Sequence, residues 1–187
     1  MKSIFLASKN ETEYVIVVAK KCTMSEMHAA EELSCFLNQI TGASFLIVTD
    51  DNDIKEKEII LGQNLHFKNL KIELTEEMIG EEGFIIKTVD QKLVIAGSPI
   101  HGTLYGVYTF FEDFLGCRWF TDDVSHIPKL QTIELPQADI LQKPVLEYRE
   151  PYFSSYPNAD WHLRNKCDGN ATLLNKIHGG KISYYPY

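Results

Sequence analysis

The chain has 187 residues, 44% of them hydrophobic and 24% charged, and carries a formal net charge of −8. That balance is globular rather than disordered, with room for one domain plus part of a second. The acidity argues against nucleic-acid binding, which needs a basic stripe, and no apolar run approaches the ~20 residues of a membrane helix.

Residues 4–7 read as a first strand. The polar stretch that follows at residues 9–13 leaves the apolar run too short for a signal peptide. Any export signal is therefore expected outside this sequence. Residues 14–19, Tyr-Val-Ile-Val-Val-Ala, are β-branched and apolar, as in a buried strand. Thr23-x-x-Glu26 predicts a capping box opening a helix. Ala30, Leu33, Leu37 and Ile40 then recur at helical spacing, and Thr41-Gly42 stops the helix. Two short strands follow at residues 45–49 and 58–62. Acidic residues concentrate between positions 50 and 58 and between 73 and 82, and both groups read as solvated loops.

Residues 83–89 and 92–96 predict a hairpin across Asp90-Gln91. Gly97-Ser98-Pro99 is expected to open a second helix, with Ser98 as its cap. Leu104, Val107, Tyr108, Phe111, Phe114 and Leu115 form its apolar stripe, and Gly116 ends it. Gly102 and Gly106 lie on one face inside that helix, each costing about 1 kcal/mol against alanine. Close approach of another backbone would offset the cost; the alternative is that Gly102 sits in the first turn, where the cost is small. Further strands are expected at residues 117–120 and 131–135, and Val145–Arg149 predicts one more. The order implies an α+β fold, a mixed or antiparallel sheet with two helices on one face. The first domain is placed at residues 1–136, and residues 137–187 differ by their prolines and aromatics. The aromatic end, Ser183-Tyr184-Tyr185-Pro186-Tyr187, predicts a continuing chain.

Chemistry is sparse. Cys22, Cys35, Cys117 and Cys167 form no Cys-x-x-Cys pair and have no histidine at zinc-ligand spacing. They read as buried free thiols, and neither metal nor cofactor is expected. His28, His66, His101 and His126 are scattered and read as surface or capping residues. Nucleophile elbow, phosphate loop and His-Glu-x-x-His are all absent from the sequence.

Four segments in order nevertheless form a pattern: Ala29-Ala30-Glu31-Glu32-Leu33 with Ile40-Thr41-Gly42; Glu82-Gly83-Phe84-Ile85-Ile86 with Leu93-Val94-Ile95-Ala96-Gly97; Gly102-Thr103-Leu104-Tyr105-Gly106-Val107-Tyr108; and Leu115-Gly116-Cys117-Arg118-Trp119-Phe120. The pattern resembles the N-terminal domain of family 67 α-glucuronidases and the related hexosaminidase N-terminal domain. It also resembles uncharacterised Bacteroidetes proteins that join this domain to a barrel. The resemblance implies a non-catalytic domain beside a (β/α)8 barrel, whose first strand and helix would fall within residues 137–187. It implies as partners the downstream catalytic barrel of the same chain and an oligosaccharide or polysaccharide substrate, with a periplasmic or extracellular setting. By the same resemblance Glu147-Tyr148-Arg149-Glu150 is the first barrel strand, and Arg149 inherits a sugar contact. Trp161-x-x-Arg164-Asn165 would line the same cleft. The alternative is that Arg149 pairs with Glu147 or Glu150 and Trp161 fills a core. Two rival functions stay open, a carbohydrate-binding module presenting Tyr152, Phe153, Tyr156 and Trp161, and a protein-interaction module using the same aromatics.

Overall fold

The computed structural model describes residues 3–151 and 158–180. Tyr152, Phe153 and Tyr156, and the aromatic end 183–187, lie outside the described residues. Strand β1 (Ile4–Ser8) leads to β2 (Val15–Val18) and helix α1 (Met24–Thr41). Next come β3 (Leu46–Thr49), β4 (Glu58–Leu61) and two short helices, α2 (Leu65–Asn69) and α3 (Glu76–Ile79). The hairpin β5 (Phe84–Val89) and β6 (Lys92–Gly97) precedes α4 (Gly102–Phe114). The remaining elements are β7 (Arg118–Trp119), β8 (Ser125–His126), β9 (Thr132–Leu135), β10 (Asp139–Gln142), α5 (Ala159–Arg164) and a 3-10 turn at Lys176–His178.

The principal sheet has six strands in the order β10-β5-β6-β4-β2-β3. β2 runs parallel to β3 and β4, and β4 runs parallel to β6. β5 is antiparallel to β6 and to β10, so the sheet is mixed, as expected. β1 and β9 pair in a small separate ribbon. Side-chain alternation sorts the sheet's two faces. Ile16, Ile59, Leu61, Ile86, Leu93 and Ile95 enter the main core with α1 and α4. Ile60, Ile85, Val94 and Ala96 face the other way and are covered by Phe67, Leu70, Ile72 and Leu74. The two long helices pack against the sheet and against each other.

The start of α1 follows from its sequence. Thr23 Oγ1 accepts from the Glu26 amide at 3.1 Å, and the Glu26 carboxylate accepts from the Thr23 amide at 2.9 Å. Thr23→Ala is expected to cost about 1 kcal/mol, read as a lower urea midpoint at unchanged slope. At the other end Gly42 takes φ +78°, the left-handed cap that glycine adopts without strain.

Several expectations are corrected. The second helix opens at Gly102 rather than Pro99, because residues 98–101 form the turn that carries the chain off β6. Ser98 keeps a capping role, accepting from the Gly102 amide at 3.1 Å. Residues 102–111 are all buried, because α4 is enclosed by the sheet, α1 and α5 rather than one-sided. The acidic stretches are not uniformly solvated: Asp50, Glu58 and Glu82 are buried, as are His66 and His101. Each buried carboxylate meets a donor, and Glu58 accepts from His66 at 3.0 Å and from Lys92 at 2.7 Å. All four cysteines are free, but only Cys117 and Cys167 are buried. Val145–Arg149 forms no strand. Val145 is 96% exposed, and the segment makes only an isolated bridge between Arg149 and Asp168. Prolines flank it at 144 and 151, and the described residues supply no neighbouring strands for a barrel ladder. β10, which the sequence pattern did not announce, adds an edge strand to the sheet instead.

Candidate functional site

The densest polar cluster lies where the chain after β10 returns to the start of β5 and α4. Glu82 sits in the turn just before β5, and His101 is the residue before the first turn of α4. Glu82 Oε1 lies 3.2 Å from His101 Nδ1, and Glu82 Oε2 accepts from Arg149 Nη2 at 2.7 Å. His101 Nε2 donates to the Gly180 carbonyl at 2.8 Å. Asp168 Oδ2 is 3.8 Å from His101 Nδ1. Arg149 and Asp168 exchange backbone hydrogen bonds of 2.8 and 3.0 Å, which hold both side chains in register. Both imidazole nitrogens face acceptor oxygens. Burial pushes the Glu82 carboxyl up, but hydrogen bonds from His101 and Arg149 more than reverse it and leave its pKa below the usual value.

Arg149 is nearly saturated. Its Nε donates to the Lys166 carbonyl at 2.8 Å, and Nη1 to the Leu146 and Glu147 carbonyls at 2.5 and 3.2 Å. The guanidinium also stands 5.8 Å from the Tyr105 ring centroid. Burial and the neighbouring carboxylates push the Tyr105 phenol well above its usual pKa, so it stays neutral. Arg149 and Tyr105 line a cleft of about 490 Å³ with Phe84, Leu141, Gln142, Lys143, Pro144, Asn165 and Lys166.

Of the four sequence-predicted site residues, the structure therefore brings Arg149 and Asn165 to one cleft. Asn165 turns its amide nitrogen to the Trp119 and Trp161 carbonyls, at 3.3 and 3.0 Å. Arg164 lies elsewhere, held to Glu32 of α1 at 3.0 Å with its guanidinium 5.2 Å from the Phe36 ring centroid. Trp161 is only 8% exposed and belongs to the core. Arg149 pairs with Glu82 rather than with Glu147 or Glu150.

Sequence reasoning missed Glu82, His101 and Asp168. They stand 19 and 67 residues apart along the chain, and no local motif links them. Their ligand atoms all fall within 4.8 Å of one another, as do those of His28, Asp160 and His178. In the first trio Arg149 already supplies a positive charge and the Gly180 carbonyl takes the second imidazole nitrogen, which leaves little for a cation to do there. Two other clefts, about 590 and 660 Å³, meet around Asn10 and Gly42. Glu13 in the first of them is paired with Lys57 at 2.5 Å. No helix among the described residues is long and apolar enough to cross a membrane.

No curated protein matches this chain in sequence. Among solved structures, a family 115 4-O-methyl-α-glucuronidase with specificity for decorated arabinogalactans is similar, with a TM-score of 0.62 and 21% identity. That likeness covers 89% of this chain and 25% of the glucuronidase. The family 20 β-N-acetylhexosaminidase from Streptomyces coelicolor A3(2) is similar with a TM-score of 0.50 and 15% identity, over 73% of this chain and 23% of the hexosaminidase. At these identities the likeness is one of fold, and the chain spans about a quarter of either length. The sequence itself matches the family described as the glycosyl hydrolase family 67 N-terminus over residues 6–110, from β1 into α4. That match spans more than half of the chain and the elements that build its core, and the chain belongs to the family 67 glycosyl hydrolase N-terminal domains.

Proposed function

We propose that this chain is a non-catalytic accessory domain of a carbohydrate-processing enzyme, scaffolding a catalytic barrel that follows it in the same polypeptide. The observation that carries this reading is the composition of the Arg149 cleft. None of its lining residues is Asp or Glu, whereas glycosidic cleavage ordinarily takes two carboxyl groups about 5–9.5 Å apart. Buried Glu82 is spent on Arg149 and His101, and half-buried Glu32 on Arg164 and Tyr108. A (β/α)8 barrel takes about 250 residues, more than the whole of this chain. Leu141 on the edge strand β10, and Val145 and Leu146 just after it, are exposed apolar residues that suit a covering domain. In the same reading, a saccharide contact from this chain belongs to the cleft wall that carries Arg149 and Asn165, where the last guanidinium N–H would donate to a sugar hydroxyl and the Asn165 side-chain carbonyl would accept from one. Trp161 supports that wall from the core side, its carbonyl accepting from Asn165, whereas Arg164 is held at α1.

The chain alone should show no turnover of aryl glycosides or glucuronoxylan fragments above a buffer blank. Hydrolysis that scales with protein concentration and survives repurification would end the non-catalytic reading.

A further inference from the structure

We infer that His28, Asp160 and His178 form a binding site for a first-row divalent cation such as Zn²⁺, which ties the segment after residue 158 to helix α1. The inference is independent of the accessory-domain reading. The three residues come from α1, α5 and the 3-10 turn, so the site exists only once these elements have packed. Their ligand atoms lie within 4.8 Å of one another. His178 Nε2 and Asp160 Oδ1 are 3.2 Å apart. That is already about the edge of a tetrahedron built on bonds of ~2.0 Å, so only His28 has to close in, by about 1.5 Å at most.

An independent observation comes from His28. Its Nε2 is shielded from solvent and has no hydrogen-bond partner among the described residues. A buried polar nitrogen in that condition is costly, and a metal bond would satisfy it. The His28 and His178 rings stand edge to face with centroids 5.6 Å apart, which sets both beside the same point. Two imidazoles and one carboxylate are ligands that suit Zn²⁺ and its neighbours rather than Mg²⁺ or Ca²⁺. The Asp160 side chain is 46% exposed, so the site opens to water and an ion can enter and keep a solvent ligand.

The other trio, Glu82, His101 and Asp168, is the weaker candidate because Arg149 already supplies a positive charge there. Binding at His178 has one cost. His178 Nδ1 accepts from the Asn175 amide at 3.2 Å, so Nε2 carries the proton and donates to Asp160. Metal bonding at Nε2 moves that proton to Nδ1, and the amide of exposed Asn175 turns to water.

The test is calorimetric titration of the chain with Zn²⁺, with Co²⁺ absorption as a reporter of coordination. One saturable site is expected, with the intense visible Co²⁺ bands of four-coordinate geometry. His28→Ala should weaken binding tenfold or more, and it removes no hydrogen bond. Asp160→Asn should also weaken it tenfold or more, and its part-exposed side chain keeps the variant foldable should His28→Ala fail to fold. Absence of saturable binding to the wild-type chain overturns the inference. So does binding of equal affinity in Asp160→Asn or in a folded His28→Ala, which would place the ion on Cys35 or on the Glu82 trio.

Discussion

Gly102→Ala is expected to destabilise the chain by about 3 kcal/mol, lowering Tm by roughly 6–12 °C. Helix propensity favours alanine, by less at this first-turn position than the ~1 kcal/mol of a helix interior, so the predicted sign is opposite to the local one. The reason lies in the contact between α4 and the hairpin. A methyl group on Gly102 would enter the space of the Gly83 carbonyl oxygen and stand 2.8 Å from Ser98 Oγ. The neighbouring backbone has no slack either, since a Cβ on Gly97 would stand 2.5 Å from the Gly102 carbonyl carbon. Carbonyls cannot swing away as a flexible side chain can. The first turn of α4 would have to lift, disturbing His101 and its bond to Glu82. Gly106→Ala is milder, because its methyl meets the Ile95 side chain at 2.7 Å and the Phe84 ring at 3.2 Å. Urea denaturation of both variants decides the matter. A Gly102→Ala protein as stable as the parent would mean that α4 does not bear on the hairpin. The sequence left two readings of these glycines open, and both hold: Gly102 does sit in the first turn, and it is also at the point of closest approach.

Arg149→Met should cost about 3 kcal/mol, because removing one member strands a buried carboxylate. The side chain of Glu82 is 6% exposed, and that of Arg149 20%. Most of the loss therefore comes from Glu82 left without its guanidinium rather than from the hydrogen bond itself. Glu82→Gln in the Arg149→Met background should restore part of the loss, giving a coupling of about 1 kcal/mol or more in a double-mutant cycle. Strict additivity would show that the two side chains do not share one network.

The same pair gives a pH signature. The folded-state pKa of Glu82 lies below its ordinary 4.5, so the unfolded chain takes up the proton first as pH falls. The stabilisation is full above pH 4.5 and drains away below it, towards the depressed folded value. Parent and Arg149→Met should therefore converge in stability as the solution is acidified below pH 4.5, and a constant difference across that window would contradict the assignment.

The features legible along the chain were those with local causes. The capping box at Thr23, the glycine stop at Gly42, the strand 15–18 and the hairpin around Asp90 each follow from periodicity or backbone preference within a few residues. The family pattern was legible for the same reason, being made of those local segments. Short helices such as α2 and α3 escaped because neither is long enough to display a repeat.

Burial of polar groups could be settled only by the assembled molecule. Glu58, His66, Glu82 and His101 look like ordinary surface residues in sequence, and each is interior because its partner arrives from elsewhere on the chain. Arg149 shows the limit most clearly. Its neighbours Glu147 and Glu150 were the natural partners by proximity, and Glu82, 67 residues away, holds it instead. Charge pairing is set by which surfaces meet and lose water together, and that meeting belongs to the packing of β5, α4 and the segment after β10. The strand expected at Val145–Arg149 failed for the same physical reason. A strand is completed by neighbours, and apolar pattern along one segment cannot supply them.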